Sequence, residues 1–398
     1  MGSVWRRRMA VVTLTAVATT LFPLQSGSGA TRTVARTVVR DIDGLPARPG
    51  QSEGTGETLS RTVESPIPFS MVGFTMPAGA RISWRTSADG TRWGRWSEAE
   101  PLDLGAPGGV AEGPDPASAE GRATDAAQAP GTVATQPMWV GEATMLQVSV
   151  AGADPDDVGA TVIDSSGLSR SLLQRATDAV AAAWGDSAVP AEARRRGPRI
   201  ITRRGWGADG SLRRTGPEYE RPRYGILHHT AGGNTYSRAE ADDVVRGIYS
   251  YHVRGNGWND IGYNFLVDRF GRIYEGRHGG IGRGVVGAHA SGFNAGSFGV
   301  SVMGDYGHRR PPRAAMRAVK RIMRFKMRRH RIAPRGRVTV VAGTSRSCAY
   351  PRFTNGQRIR LHTLIAHRDV GCTTCPGSAL YAQLPRLRRR IAAGMPSR

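Results

Sequence analysis

Cysteine is scarce, with three in 398 residues. That is too few for a fold held together mainly by disulfides. No uninterrupted apolar run of about 18 residues follows the N-terminal segment, so no later membrane-spanning helix is visible. No internal repeat is visible either. Acidic residues are scarce in one half only. Residues 1–200 carry 19 Arg, no Lys and 21 Asp or Glu, a net −2; residues 201–398 hold the other 36 basic and 11 acidic residues, a net +25. Such asymmetry points to two units with different jobs and to a polyanionic neighbour for the second. Nucleic acid, an anionic membrane and an anionic cell wall all fit. What is present excludes wholesale disorder: 39% of residues are hydrophobic and 22% charged, enough apolar mass for real cores. The length suggests two or three domains.

The first thirty residues choose among these neighbours. Arg6, Arg7 and Arg8 precede an apolar run from Met9 to Leu24, and small residues follow as far as Ser28-Gly29-Ala30. A basic start, a short apolar stretch and a small-residue cleavage site make an export signal over 1–30. A membrane anchor or a buried first helix is the competing reading, and Pro23 and the shortness of the run weigh against it. An exported chain is expected to be secreted, extracellular and wall-associated, with no stable membrane span after cleavage. Anionic wall polymer then leads as the partner of the basic half, and nucleic acid is not expected.

Residues 31–65 lack periodicity and read as a linker or loosely docked arm. Over 66–165 the pattern is that of short strands. Ile82 and Trp84 alternate with Arg81, Ser83 and Arg85, an Asp89-Gly90 turn follows, and Leu146, Val148 and Val150 alternate with Gln147 and Ser149. This predicts a small all-β, sandwich-like domain. Ala106 to Thr132, rich in Ala, Gly, Pro and acid, reads as a disordered acidic loop inside it. Residues 166–198 read as a helix, Ser169 to Trp184, and a linker.

The second domain runs over 199–392. Strands are expected at Tyr224–His228, Gly262–Asp268, Arg272–Glu275, Ser297–Met303, Val338–Ala342 and Leu364–Ala366. Helices are expected at Ser237–His252, where Ser237 and Glu240 form a capping box, at Pro311–Arg331 and at Ala379–Ile391. Met316, Val319, Ile322, Met323 and Met327 share one helix face, a stripe that reads as core. Strands mixed with helices predict an α/β domain with a mixed central sheet flanked by helices.

Two of the nine histidines end apolar strand runs, in Gly225-Ile226-Leu227-His228-His229-Thr230 and Thr363-Leu364-Ile365-Ala366-His367. A strand end is a rigid mount for a ligand, with loops free to shape the pocket. Eight residues after His367 comes Cys375, in Cys372-Thr373-Thr374-Cys375-Pro376. Two imidazoles and a thiolate make a three-ligand zinc set with a fourth position left for water. Polar core or surface roles for each residue are the plainer alternative.

Three cysteines allow one disulfide and one remainder. Pairing Cys348 with Cys372 closes a loop of about 24 residues, worth about 3 kcal/mol in a chain-entropy model, and leaves Cys375 as a thiolate. A Cys372–Cys375 redox pair and a Cys348–Cys375 bond stay open as alternatives.

A longer series of residues is more specific. Trp206-Gly207-Ala208, His228 to Gly232, Gly257-Trp258-Asn259-Asp260-Ile261-Gly262-Tyr263-Asn264-Phe265, Ile273-Tyr274-Glu275-Gly276-Arg277, Gly287-Ala288-His289, Asn294 to Val302 and His367 to Gly377 occur in that order. The series resembles the peptidoglycan recognition protein family, which shares its fold with phage lysozyme-type zinc amidases. It covers about residues 199–390. The Trp-rich β region before it is more weakly similar to the N-terminal part of exported actinobacterial amidases.

The resemblance implies a zinc amidase fold and hydrolysis of the amide between N-acetylmuramic acid and L-alanine in peptidoglycan, with Zn2+ held by His228, His367 and Cys375. It assigns a catalytic role to Tyr263. Thr373 stands where phage relatives carry Lys, so it takes the second catalytic position without the positive charge. The substrate-lining candidates are His229, Trp258, His289 and Asn294; a structural role for His229 and for His289 and core packing for Trp258 stay open. The Cys348–Cys372 pair is the expected disulfide. Asp260 and Glu275 are the carboxylates nearest a motif, and each reads more naturally as structural than as a general base. Retention of Cys375 favours an enzyme over a binding-only recognition protein. A nucleic-acid binder and a thiol–disulfide oxidoreductase are the remaining rivals.

Overall fold

A computed structural model describes residues 38–42, 58–99, 112–127, 132–165, 197–344 and 352–395. The expected export signal, the helix over Ser169–Trp184 and Cys348 lie outside the described residues.

The N-terminal β domain is built from β1 (Val38–Ile42), β2 (Thr58–Pro77), β3 (Arg81–Ser87), β4 (Ser97–Glu98), β5 (Thr132–Ala134), β6 (Met138–Ala151) and β7 (Gly159–Asp164). β1 and the start of β2 fall within the stretch 31–65 that the sequence reads as a linker. The sheet order is β1-β7-β2-β6-β3-β4, with β5 on β2, and every pairing is antiparallel. The alternation read from β3 and β6 governs which side faces in: Ile82, Trp84, Leu146, Val148 and Val150 are buried. They join Phe74, Met76, Val158 and Val162 in one apolar core. The pairing of β2 with β6 shifts register on either side of Phe69. Such bulges bend a long strand, and the second half of β2 pairs with β7 and β5.

The expectation of a disordered loop over Ala106–Thr132 is corrected by its described part. Residues 112–118 lie against the second domain, and α1 (Ala119–Ala127) follows. Ser118 starts this helix by accepting a hydrogen bond from the Gly121 N–H at 2.9 Å. The composition lacks periodicity because the segment is held by hydrogen bonds to the other domain, not by an apolar face.

The second domain contains α2 (Arg203–Trp206), β8 (Tyr224–His229), α3 (Ala241–Ser250), β9 (Phe265–Val267), β10 (Ile273–Glu275), β11 (Ser297–Val302), α4 (Arg313–Arg329), β12 (Arg337–Val341), β13 (Arg358–His362), β14 (Leu364–Ala366), α5 (Ser378–Tyr381) and α6 (Leu384–Ala392). The central sheet runs β10-β9-β11-β8-β14. Its four strands from β9 to β14 are parallel, and β10 is antiparallel. The domain is thus α/β with a mixed sheet. β8 is buried along its whole length, as a parallel strand covered on both faces must be.

Helices cover the two faces. α4 lays Val319, Ile322, Met323 and Met327 against Leu227, Val300, Val302 and Leu364, with Leu387 and Ile391 of α6 in the same cluster. Met316, on the same stripe, is partly buried. On the other face lies α3, and the Ser237/Glu240 box forms in the turn that leads into it. The Ser237 N–H donates to Glu240 Oε2 at 2.6 Å, and the Glu240 N–H donates to Ser237 Oγ at 3.3 Å. α3 then gives way to a π-helical turn over Tyr251–Gly255.

The β domain docks on α3. Met71, Trp139 and Ile163 share a buried cluster with Val245, Ile248 and Tyr251. The approach is close: a Cβ on Gly73 would lie 2.2 Å from the Tyr251 ring, so a larger residue there would push the two layers apart.

Candidate metal centre

Parallel pairing brings the two strand-end histidines together. β14 is in register with β8 such that Ala366 lies opposite Leu227. The next residues, His367 and His228, therefore leave the carboxyl ends of adjacent parallel strands, where open α/β sheets place ligands. Both are fully buried, with ring centroids 4.7 Å apart. Cys375 returns from the following loop. Its side chain is buried, and Sγ lies 3.7 Å from His228 Nδ1. Thr373 helps to hold that loop, since its Oγ1 accepts the Cys375 N–H at 3.1 Å.

A fourth group completes the cluster. Glu112, from the segment that precedes α1, puts Oε1 3.4 Å from His228 Nδ1 and 3.7 Å from His367 Nδ1. Ligand atoms of Glu112, His228, His367 and Cys375 all lie within 4.8 Å of one another. Bonds of roughly 2.0–2.3 Å at the tetrahedral angle would separate donors by about 3.3–3.6 Å. The separations of 3.4, 3.7 and 3.7 Å among these donors lie near that spacing and the others within 4.8 Å, so this donor set can fit a tetrahedral divalent ion.

The electrostatics agree. Burial draws the His228 imidazole down to about 3, which keeps it neutral and able to donate a lone pair. Burial likewise raises the Glu112 carboxyl above its usual range, against the opposing pull of His367 and the Tyr263 hydrogen bond. A buried carboxylate among neutral imidazoles is costly, and a dication reverses that cost.

Behind the ligands stands His289. Its Nδ1 lies 3.1 Å from His228 Nε2. When His228 donates from Nε2, its Nδ1 lone pair faces the cluster, the arrangement metal-bound histidines use. His289 is fully buried, and a Cβ on Gly299 would come within 2.5 Å of its ring. Only glycine leaves room for it there. Asn294 fixes the same loop, with Oδ1 accepting the N–H groups of His289 and Ala290 at 2.8 and 3.0 Å.

Tyr263 is buried beside His228, with ring centroids 5.5 Å apart. Its hydroxyl donates to Glu112 Oε2 at 2.6 Å. Burial, and then the Glu112 charge, push its ionisation well above the ordinary tyrosine range, so the phenol keeps its proton. The remaining residues singled out from sequence lie around this centre. Trp258 is fully buried and packs on His252, with centroids 4.4 Å apart. His229 is buried and accepts the Tyr306 N–H at Nδ1. Asp260 pairs with buried Arg203 at 2.9 Å, and Glu275 accepts the Arg203 N–H. Both carboxylates are engaged in holding the chain around α2. Sequence reasoning passed over Glu112. Its one signal was acidity within a stretch of small residues.

Two imidazoles, a thiol and a carboxylate, with a phenol beside them, form a buried cluster that could hold a metal ion. Comparisons with known proteins place the domain in a family. Residues 218–378 match the family model described as N-acetylmuramoyl-L-alanine amidase, and residues 23–166 match one described as Rv3811 N-terminal galactose-binding domain-like. Peptidoglycan-recognition protein SC2 of Drosophila melanogaster is 31% identical over 188 residues, spanning 47% of this chain and 85% of its own length. Peptidoglycan recognition protein 1 of Bos taurus is 33% identical over 195 residues, 48% of this chain and 86% of its own. Among solved structures, Drosophila PGRP-LB aligns at 30% identity over 47% of this chain and 92% of its own, with a TM-score of 0.36. The chain belongs to the family of peptidoglycan recognition proteins and N-acetylmuramoyl-L-alanine amidases, with a galactose-binding-like β domain in front.

Proposed function

We propose that the protein is a zinc-dependent N-acetylmuramoyl-L-alanine amidase, which hydrolyses the amide between N-acetylmuramic acid and L-alanine in peptidoglycan. The observation that carries this reading is the buried donor cluster with the Tyr263 hydroxyl against it. His228, His367 and Cys375 would hold the ion. A zinc bound there supplies Lewis acidity, making a nucleophile of water near neutral pH and polarising the amide carbonyl. His289 holds the His228 ring in place from behind. Tyr263, protonated because it is buried, donates a hydrogen bond to the oxygen on which negative charge develops. Thr373 positions Cys375 through the Cys375 N–H, and in this reading it takes the place of a charged donor.

The Cys348–Cys372 disulfide belongs to the same reading. So do export, a wall-associated location and the use of the basic half to hold an anionic wall polymer by screened attraction. Among the described residues, no helix is long and apolar enough to cross a membrane. A second reading, a recognition protein that binds peptidoglycan without cleaving it, draws on the names of the relatives.

Metal analysis combined with digestion of purified muropeptides separates the two. An enzyme carries about one zinc per chain and releases peptides with new N-terminal alanine. It stops when the metal is chelated and restarts when zinc is returned, and Cys375→Ser abolishes cleavage. Intact muropeptides after prolonged digestion by the zinc-loaded protein, with binding retained, would establish the recognition reading instead.

A further inference from the structure

We propose that Glu112 is the fourth protein ligand of the metal centre, and that the segment from Glu112 to Glu120 is a built-in strap that holds this centre closed. The inference rests on the metal-centre reading above and adds to it a state in which no position is left for water. Catalytic zinc sites keep three protein ligands and an open position, whereas sites with four protein ligands are closed.

Glu112 is 2% exposed, and although Tyr263 and Gln136 hydrogen-bond its carboxyl, Oε1 has no hydrogen-bond partner among the described residues. A carboxylate oxygen is not normally buried without a donor. This one points at two imidazole nitrogens and a thiol, the partners a shared cation would have. Its other oxygen takes the Tyr263 hydroxyl at 2.6 Å. The strap therefore engages the metal ligands and the catalytic phenol at once.

The strap is also seated beyond that one side chain. Asn294 Nδ2 donates to the Gly113 carbonyl at 2.7 Å and to Asp115 Oδ1 at 2.8 Å. The Gly292 N–H donates to the same Asp115 oxygen at 2.8 Å. Five residues on, Glu120 accepts from the Asn259 N–H at 2.8 Å and pairs with Arg277 at 2.5 Å. Three acids of the less basic half are thus spent on backbone and side-chain donors that ring the centre. A cleft of 330 Å³ is lined by Asp115, Ser118 and Glu120 of the strap together with Arg213, Tyr219 and His278. A substrate amide reaches the centre only when the strap gives way. All of the contacts described are non-covalent, so the closure is reversible.

The test uses the full chain loaded with Co2+, whose visible absorption reports the ligands around the ion, and acetohydroxamate as a small metal-seeking probe. The wild-type protein is expected to bind one Co2+ and to keep its spectrum when hydroxamate is added. Glu112→Ala should lose at least the roughly tenfold in metal affinity that removing even a ligand's outer hydrogen-bond partner costs, while gaining about tenfold or more in hydroxamate affinity. The double variant Asp115→Asn, Glu120→Gln keeps all four ligands. It should hold Co2+ as the wild type does and yet admit hydroxamate, which guards against misfolding of the first variant. Unchanged metal affinity in Glu112→Ala, or hydroxamate binding to the wild type as tightly as to both variants, overturns the proposal. A wild-type chain that takes up no more Co2+ than His228→Ala sinks the metal-centre reading itself, a result distinct from failure of the strap.

Discussion

Asp260 offers a clean separation of structure from catalysis. It is a carboxylate within a family motif, so a general-base role is a natural suspicion. The structure commits it elsewhere. Oδ1 accepts from Arg203 Nη1 at 2.9 Å and from the Ile261 N–H at 2.7 Å, and Oδ2 accepts from the His278 N–H at 2.8 Å. The side chains of Arg203 and Asp260 are 10% and 6% exposed. In Asp260→Ala the guanidinium stays buried, keeping the Gly276 carbonyl and its contacts with Trp206 and Tyr249 but losing its carboxylate partner. Breaking a buried ion pair from one side costs about 3–5 kcal/mol. For a domain of about 200 residues this lowers the melting temperature by roughly 6–20 °C. Asp260→Asn keeps oxygen and shape but loses the charge, and should fall between the variant and the wild type. Urea unfolding followed by fluorescence reads the change, since Trp206 and Trp258 are buried in this domain. Turnover of muropeptide, corrected for the folded fraction and measured well below the transition, should stay within a few-fold of wild type. Unchanged stability with turnover lower by about a hundredfold or more, the loss expected of a general base, would make Asp260 catalytic instead.

Other consequences follow from burial. Met323 of α4 is fully buried between sheet and helices, so Met323→Ala should destabilise the domain by about 2–5 kcal/mol in urea titrations; a loss below 1 kcal/mol would mean the stripe is not core. Lys326, on the same helix, is 2% exposed and donates its ammonium to the carbonyls of Ile281 and Arg283. Burial lowers it from 10.5 to about 8. The folded chain therefore gives up this proton first, and between pH 8 and 10.5 the unfolded chain holds more protons. Stability from this group rises with pH in that window, by at most about 1.4 kcal/mol per unit. Lys326→Met should flatten the rise between pH 8 and 9.5 relative to wild type, and identical slopes for the two proteins would refute the assignment.

Several parts of the fold were legible because local chemistry and global packing agree. The alternation along β3 and β6 names the buried residues correctly, since a pleated strand with one face inward can place them in no other way. The capping box at Ser237 forms as read, although the regular helix begins at Ala241. Elsewhere the reading stops short. β13 is missed over Arg358–His362 although Ile359 and Leu361 alternate there with Arg358, Arg360 and His362, because the run is short, charged and only half-buried against its cluster. The last helix is broken into α5 and α6. The segment from Glu112 to Ala127 looked structureless because what orders it lies in the other domain.

From the order of residues alone came the two domains, the strand ends at His228 and His367, and a thiol eight residues beyond the second of them. Those are local facts: apolar runs choose a sheet, and the residues that end them sit at its rim. Which rims meet is not local. The parallel register of β14 on β8 set the imidazoles side by side, and docking of the β domain on α3 accompanied Glu112 into their midst from more than a hundred residues upstream. A carboxylate has no periodicity that advertises its partner. Only the closing of the tertiary structure, which removes water from all four groups together, decides that they share one site.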